Sequence, residues 1–298
     1  LSGHNDEETV TLTADDGTGN TASCTFKVTL KDLTAPTITC PADQTVAADA
    51  ACTGVVNNRV QLAINVTDNC TASPTATQMP AAGTVLSGHN DEEIVTLTAD
   101  DGHGNTTPCT FKVILKDVTP PTITCPANQT VAADAVCSGI VDDRIGLATN
   151  VTDNCNSSPA VTQMPAAGTV LSGHNDEEIV TLTANDGNGN TTPCTFKVIL
   201  KDVTPPMITC PNPVTVSCFT NVPTPNTSLV IASDNCSAVV KEHVFTTLPY
   251  DVTCINRFKV TRTYRATDVV GNSADCTQVI TVYDATAPTL LFVPANVT

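Results

Sequence analysis

The 298-residue chain has no Trp, three Tyr and seven Phe, so aromatics make up 3% of it. A core so poor in large rings must be built from Val, Ile and Leu and reinforced by cross-links. Basic residues are also scarce, 13 Lys and Arg against 30 Asp and Glu, which sets the net charge at −17. A surface this acidic repels a phosphate backbone, and the few Lys and Arg are too dispersed to form a basic groove, which excludes nucleic acid as a partner. No run approaches the ~18 consecutive apolar residues of a membrane span, so no direct membrane insertion is expected. The opening Leu1-Ser2-Gly3-His4 carries neither an initiator Met nor a charged-then-apolar leader and reads as a mature or truncated piece. Neither G-x-S-x-G nor H-E-x-x-H occurs, and paired acids such as Asp100-Asp101 sit in a tight turn copied along the chain, so no enzyme is expected.

Cysteine, by contrast, is abundant, with 14 residues and no close Cys-x-x-Cys pairs of the zinc-ribbon kind, which points to an oxidising, extracellular setting. The string LSGHNDEE begins at Leu1, Leu86 and Leu171, a period of 85. The chain therefore divides into the C-terminal half of a repeat (1–33), repeats at 34–118 and 119–203, a divergent repeat at 204–285, and the start of a further one (286–298).

Within a repeat the pattern is that of strands. Cys109, Phe111, Val113 and Leu115 alternate with Thr110 and Lys112, and the run from Ile94 to Ala99 places Val95, Leu97 and Ala99 on one side. The turn between the two runs, Asp100 to Asn105, closes a hairpin. No sustained helical period occurs, so the expected fold is all-β: tandem immunoglobulin-like β-sandwich repeats in a linear rod.

Cysteine spacing recurs as well. Cys40, Cys125 and Cys210 precede Cys109, Cys194 and Cys276 by 69, 69 and 66 residues, whereas Cys52, Cys137 and Cys218 precede Cys70, Cys155 and Cys236 by 18. Two constant intervals suggest two bridges per repeat, Cys40 with Cys109, Cys52 with Cys70 and their equivalents, although four cysteines allow three connectivities. Cys24 occupies the position of Cys109, so its partner is expected before residue 1, in a longer parent chain. Cys254 has no counterpart, and Phe292-Val293-Pro294 stands where the other repeats have Cys-Pro.

Five landmarks recur in register. They are D-x-T-(A/P)-P at Asp32, Asp117, Asp202 and Asp284, Cys-Pro shortly after, Asp-Asn-Cys at 68–70, 153–155 and 234–236, D-x-x-G-N at Asp101, Asp186 and Asp268, and a last strand beginning at Cys. This pattern resembles the hyalin repeat (HYR), an immunoglobulin-like module of extracellular and cell-surface proteins, and the near-identity of neighbouring copies is similar to that in giant repeat adhesins of gliding bacteria. The resemblance covers the whole chain and implies an extracellular fibre or adhesin. The acidic His-Asn-Asp-Glu-Glu loop departs from the family pattern.

Because the last strand of a repeat runs into the linker Lys116-Asp117, the D-x-x-G-N turn lies at the leading pole of each repeat and the acidic loop at the trailing pole. The junction before the divergent repeat then gathers Asp202, Asp268 and Glu177 or Glu178, and the family pattern adds Asp234. The preceding junctions gather Asp117, Asp153, Asp186, Glu92 and Glu93, and Asp32, Asp68, Asp101, Glu7 and Glu8. Converging carboxylates repel one another, and an oxygen-loving divalent cation, Ca²⁺ in an extracellular setting, relieves that repulsion. The competing account is that each Asp only shapes an Asx-turn and each Glu is solvated. His4, His89 and His174 repeat with the loop, but one His per copy with no second His or Cys nearby is a poor transition-metal set.

Sequons occur at Asn65, Asn69, Asn105, Asn128, Asn150, Asn156, Asn190, Asn226, Asn235 and Asn296, and in a eukaryotic source several would carry glycan. The divergent repeat concentrates aromatics with Arg257, Arg262 and Arg265, either as a recognition face or as a better-filled core beside a solvated Arg strand. The expected function is a disulfide-stapled structural or adhesive stalk or filament, stiffened by Ca²⁺. Its partners would be neighbouring repeats or chains of the same fibre, and cell-surface or matrix glycans and proteins. The alternatives are a ligand-recognition module centred on 204–285, and assembly of subunits by strand addition.

Overall fold

The computed structural model describes residues 1–254 and 256–289; Asn296, Phe292-Val293-Pro294 and the side chain of Cys254 lie outside what is described. The described residues form short strands and four single-turn 3₁₀ segments. The hairpin of the 34–118 repeat pairs Glu92–Asp100 antiparallel with Thr106–Lys116. Its alternation is the reason for its place in the fold, because Val95, Leu97, Ala99, Phe111, Val113 and Leu115 all turn inward and are buried. Thr75–Met79 flanks one side of this hairpin, and Gln44–Ala47 adds to the other side in parallel. A second layer, the pair Thr53–Val56 with Thr84–Ser87, brings Val56 and Leu86 onto the same apolar cluster. The approach is so close that a Cβ on Gly54 would lie 2.5 Å from Leu115 Cδ1. The 119–203 repeat keeps both layers, and the 204–285 repeat keeps the order of the four-stranded sheet, with Tyr250–Cys254 added to it and, among the described residues, no counterpart of the Thr53–Val56 pair.

By chain contacts the molecule divides into two compact units. One holds Leu1–Thr124, Thr149–Thr162 and Thr183–Pro193; the other holds Cys125–Ala148, Gln163–Leu182 and the chain from Cys194 onward. The division runs through the 119–203 repeat, not between repeats. Each repeat joint described below therefore falls inside one unit.

Three disulfides are internal to a repeat: Cys40–Cys109, Cys125–Cys194 and Cys210–Cys276. The other pairing differs from expectation. Cys52 bonds Cys155 and Cys137 bonds Cys236, so these bridges join consecutive repeats, and Cys52–Cys70, Cys137–Cys155 and Cys218–Cys236 do not form. The cause lies in where the sulfurs stand. Cys52 sits at the trailing pole, where its carbonyl accepts the N–H of Gly88 at 2.9 Å, while Cys70 follows Asp68 at the leading pole. Asn154 Nδ2 reinforces the second joint by donating to the carbonyl of Asp49 (2.8 Å), and Asn235 does the same to Asp134 (2.7 Å). Cys24, Cys70 and Cys218 are free thiols in this structure.

In the divergent repeat, Phe258 and Tyr264 are core residues. The three arginines are committed. Arg262 is buried and donates to the Pro223 carbonyl, Arg265 grips Asp275 with two bonds of 2.7 and 2.9 Å, and Arg257 stacks on Tyr283 at 4.4 Å. The filled-core account therefore holds for Phe258 and Tyr264 but not for Phe219, Phe245, Tyr250 and Tyr283, which are exposed, and Arg262 is buried and not solvated.

Two outcomes are expected. Non-reducing peptide mapping should recover Cys155 joined to Cys52. Replacing both Cys40 and Cys109 by Ala should cost about 4 kcal/mol in denaturant titration, from the entropy of the 69-residue loop released in the unfolded chain.

Candidate metal centre

At the joint before the divergent repeat, ligand atoms of Asp202, Asp234 and Asp268 lie within 4.8 Å of one another, and Asp117, Asp153 and Asp186 form the same set one joint earlier. At the first joint the set is Asp32, Asp101 and His103. The linker and turn aspartates, Asp32, Asp117, Asp202, Asp101, Asp186 and Asp268, are all buried, at 5% exposure or less.

Local chain geometry accounts for half of each carboxylate. Asp202 Oδ1 accepts the Thr204 N–H (3.1 Å), and Asp234 Oδ2 accepts those of Cys236 and Ser237 (2.8 and 3.0 Å). Asp268 Oδ1 takes three backbone N–H groups, from Val270, Gly271 and Asn272, and its Oδ2 takes Asn272 Nδ2 (2.8 Å). The turn depends on Gly271, whose φ of 101° suits glycine. These contacts are the Asx-turns of the competing account. They leave Asp202 Oδ2 and Asp234 Oδ1 buried without any hydrogen-bond donor, as they leave Asp153 Oδ1, Asp32 Oδ2 and Asp68 Oδ1. Turn formation does not require a second oxygen held dry beside other carboxylates, and buried polar atoms are nearly always partnered. Two unit charges at 4.8 Å repel by roughly 3–4 kcal/mol at an effective dielectric near 20, a repulsion that a cation placed among them would offset.

The glutamates do not join these sets. Glu92 pairs with Lys112 at 2.8 Å, Glu177 with Lys197 at 2.6 Å and Glu7 with Lys27 at 2.8 Å, all exposed and across their own hairpins. The acidic loop contributes its histidine instead. Nδ1 of His4, His89 and His174 accepts the backbone N–H of Asp32, Asp117 and Asp202 at 2.9, 3.0 and 2.9 Å. The constant 28-residue interval between these His and Asp residues was the available signal. That bond uses one ring nitrogen of each histidine to hold the linker. Asp68 lies outside the first set, where His103 takes the third place.

The asparagine of each D-x-x-G-N turn has a joint role, which in the first two turns coincides with a sequon. Asn190 Nδ2 donates to Asp186 Oδ2 (2.6 Å) and to the Asp117 carbonyl (3.3 Å), and Asn105 does the same with Asp101 (2.6 Å) and Asp32 (3.3 Å). With both amide hydrogens engaged, neither carries a glycan without losing a bond. Asn156 Nδ2 donates to Asp186 O, Asn235 to Asp134 O, and Asn65 and Asn150 to Thr39 and Thr124 hydroxyls. Asn69 is exposed, with Nδ2 3.2 Å from Cys70 Sγ. Asn128 and Asn226 are exposed and use only Oδ1 among the described residues.

With this geometry in place, comparison with known proteins defines the class. Residues 116–200 match the family model of the HYR domain, and residues 3–89 that of the bacterial Ig-like domain (group 3). The chain is thus an extracellular protein of immunoglobulin-like repeats. It is similar to hyalin of Lytechinus variegatus (27% identity over 97% of this chain and 55% of that protein) and of Strongylocentrotus purpuratus (29%, over 93% and 23%). It therefore spans about half and about a quarter of the lengths of these relatives. The hyalin-type match is carried by residues 116–200. Solved structures similar to it include protocadherin gammaB7 EC3-6 (13% identity, 92% of this chain and 84% of that one, TM-score 0.35) and Drosophila N-cadherin EC1-4 (11%, 92% and 82%, TM-score 0.30). No helix among the described residues is long and apolar enough to cross a membrane.

Burial opposes ionisation of Asp101, Asp186 and Asp268, yet the Asn side-chain amide and backbone N–H groups around each hold its carboxyl below the usual carboxylate range. A depressed folded value adds stability above the unfolded value near 3.9 and loses it as pH falls through the folded one. Thermal melts should therefore be flat from neutral to about pH 5 and fall steeply below about pH 4. Asn190→Ala should shrink that acid-sensitive component.

Proposed function

We propose that the chain is a structural and adhesive segment of an extracellular stalk or filament, whose repeat joints are closed by disulfides and by Ca²⁺. The observation that carries this reading is the buried, donor-free carboxylate oxygen at each joint, next to two further ligand-bearing side chains. The second and third sets are oxygen-only, which suits Ca²⁺. At the third joint Asp202 and Asp234 would hold the ion, with Asp268 neutralising it from the following turn; at the second, Asp153 Oδ1 is the donor-free oxygen, and Asp117 Oδ2 would exchange its bond from Asn188 for the ion. Bound Ca²⁺ would convert repulsion inside the joint into attraction between the linker and the next repeat. Bridges such as Cys137–Cys236 support the same role, since they tie one repeat covalently to the next. Near-identical copies add reach and not new specificity. The partners this implies are neighbouring repeats, other chains of the fibre, and cell-surface or matrix glycans and proteins.

Melting temperature and scattering dimensions, with and without chelator, test the proposal. Calcium at 100 times its Kd should stabilise the chain by about 2.7 kcal/mol per site. The double variant Asp202→Asn/Asp234→Asn should lose the increment of the third joint and melt near wild type in chelator. Identical melting and dimensions after calcium removal would refute the calcium-closed joint.

A further inference from the structure

The second variable residue of the D-x-x-G-N turn differs at every joint, and at the first two it stands against the linker aspartate. At the second joint it is Asn188, whose Nδ2 donates to Asp117 Oδ2 at 2.9 Å. At the third it is Val270, which offers no polar side-chain atom, and Asp202 Oδ2 stays unpartnered. At the first it is His103, whose Nδ1 stands 3.5 Å from Asp32 Oδ2. The Asp32 side chain is 1% exposed, and that oxygen has no hydrogen-bond partner.

The imidazole is held in place. It stacks on His4 with centroids 4.1 Å apart and planes 16° apart, while His4 itself accepts the Asp32 N–H. The Thr71 hydroxyl, 3.2 Å from His103 Nδ1, spends its proton on the Asp101 carbonyl at 2.7 Å and has none to give the ring. In the tautomer with the proton on Nε2, the Nδ1 lone pair therefore faces Asp32 and Asp101, with the free Cys70 thiol also lying against Asp32.

We infer that Asp32, Asp101 and His103 form a site for a borderline divalent transition metal of the zinc class, chemically distinct from the oxygen-only sets of the later joints. Two ligands on one tetrahedral ion with bonds of about 2.0–2.2 Å stand roughly 3.3–3.6 Å apart, and the His103–Asp32 separation already fits. Imidazole nitrogen favours Zn²⁺ over Ca²⁺, which takes six to eight oxygens. The inference shares with the proposed function only the premise that joints hold cations.

Cobalt(II), with its visible ligand-field bands, is the probe. The full chain is used with Cys24, Cys70 and Cys218 changed to Ser and any remaining thiol alkylated. It should bind one Co²⁺ at this site, displaced by Zn²⁺ and retained in excess Ca²⁺. His103→Asn installs the second repeat's own residue, so the turn should still fold, and affinity should fall at least tenfold. The reciprocal Asn188→His should add a second Co²⁺. Bands that vanish with the thiols, an affinity indifferent to His103→Asn, or no gain from Asn188→His would each overturn the site. Calcium-dependent melting at the Asp202 joint is read separately, so failure of one reading leaves the other visible.

Discussion

A carboxylate taken out of water must be engaged on every side, and the linker aspartate of each joint is the residue on which the rest of the arrangement depends. Asp202 gives its backbone N–H to His174 of the repeat before it, and its carbonyl receives Asn272 of the repeat after it. Its Oδ1 turns the chain by accepting Thr204 N–H. A single residue is thereby bonded to both neighbours, with one oxygen left over in a dry place. The remaining chemistry of the joint follows from what that oxygen meets.

The Asp-Asn-Cys tripeptide works beside it in three ways at once. Asp153 supplies a donor-free oxygen, Asn154 bonds the Asp49 carbonyl of the preceding repeat, and Cys155 bonds the sulfur of Cys52. The Cys155 N–H also fixes Asp153 Oδ2, so the covalent bridge and the candidate ligand are held by the same turn. Loosening the sulfur link would release the loop that aims the oxygen. Cross-linking between repeats and ligand placement are therefore coupled through two adjacent backbone bonds.

Much of the repeat was legible in the sequence, because a period of two decides which face of a strand is dry. Val95, Leu97, Phe111, Val113 and Leu115 alternate as their burial requires. The sulfur pairing was not legible, and the reason is periodicity itself. The interval of 18 inside a repeat recurs unchanged, whereas the bridged intervals across the joints are 103 and 99, so constancy of spacing favours the wrong partner, and only the position of Cys52 at the far pole corrects it. The aspartates were found because turn chemistry and charge both mark them. Glu92 and Glu177 were drawn into the site by charge alone, whereas a strand residue opposite a lysine satisfies itself on the surface at little gain. The histidines were passed over because their role is to accept a backbone N–H, a contact that leaves no motif beyond a fixed interval.

The joints also show how copies this similar can differ in chemistry without differing in shape. The glycine of the turn keeps its left-handed conformation in all three, with φ of 101°, 110° and 101° at Gly104, Gly189 and Gly271. The asparagine that follows bonds the turn aspartate and the linker carbonyl each time. The backbone cradle is therefore built by residues that do not vary, while the residue two places after the turn aspartate is free to be His103, Asn188 or Val270, the first two of which reach the linker carboxylate. A hydrogen donor engages that oxygen, as Asn188 does at Asp117, whereas Asp202 Oδ2 and Asp32 Oδ2 have no donor among the described residues. A change at that one position alters the polar surroundings of the linker carboxylate while the turn that holds it is kept.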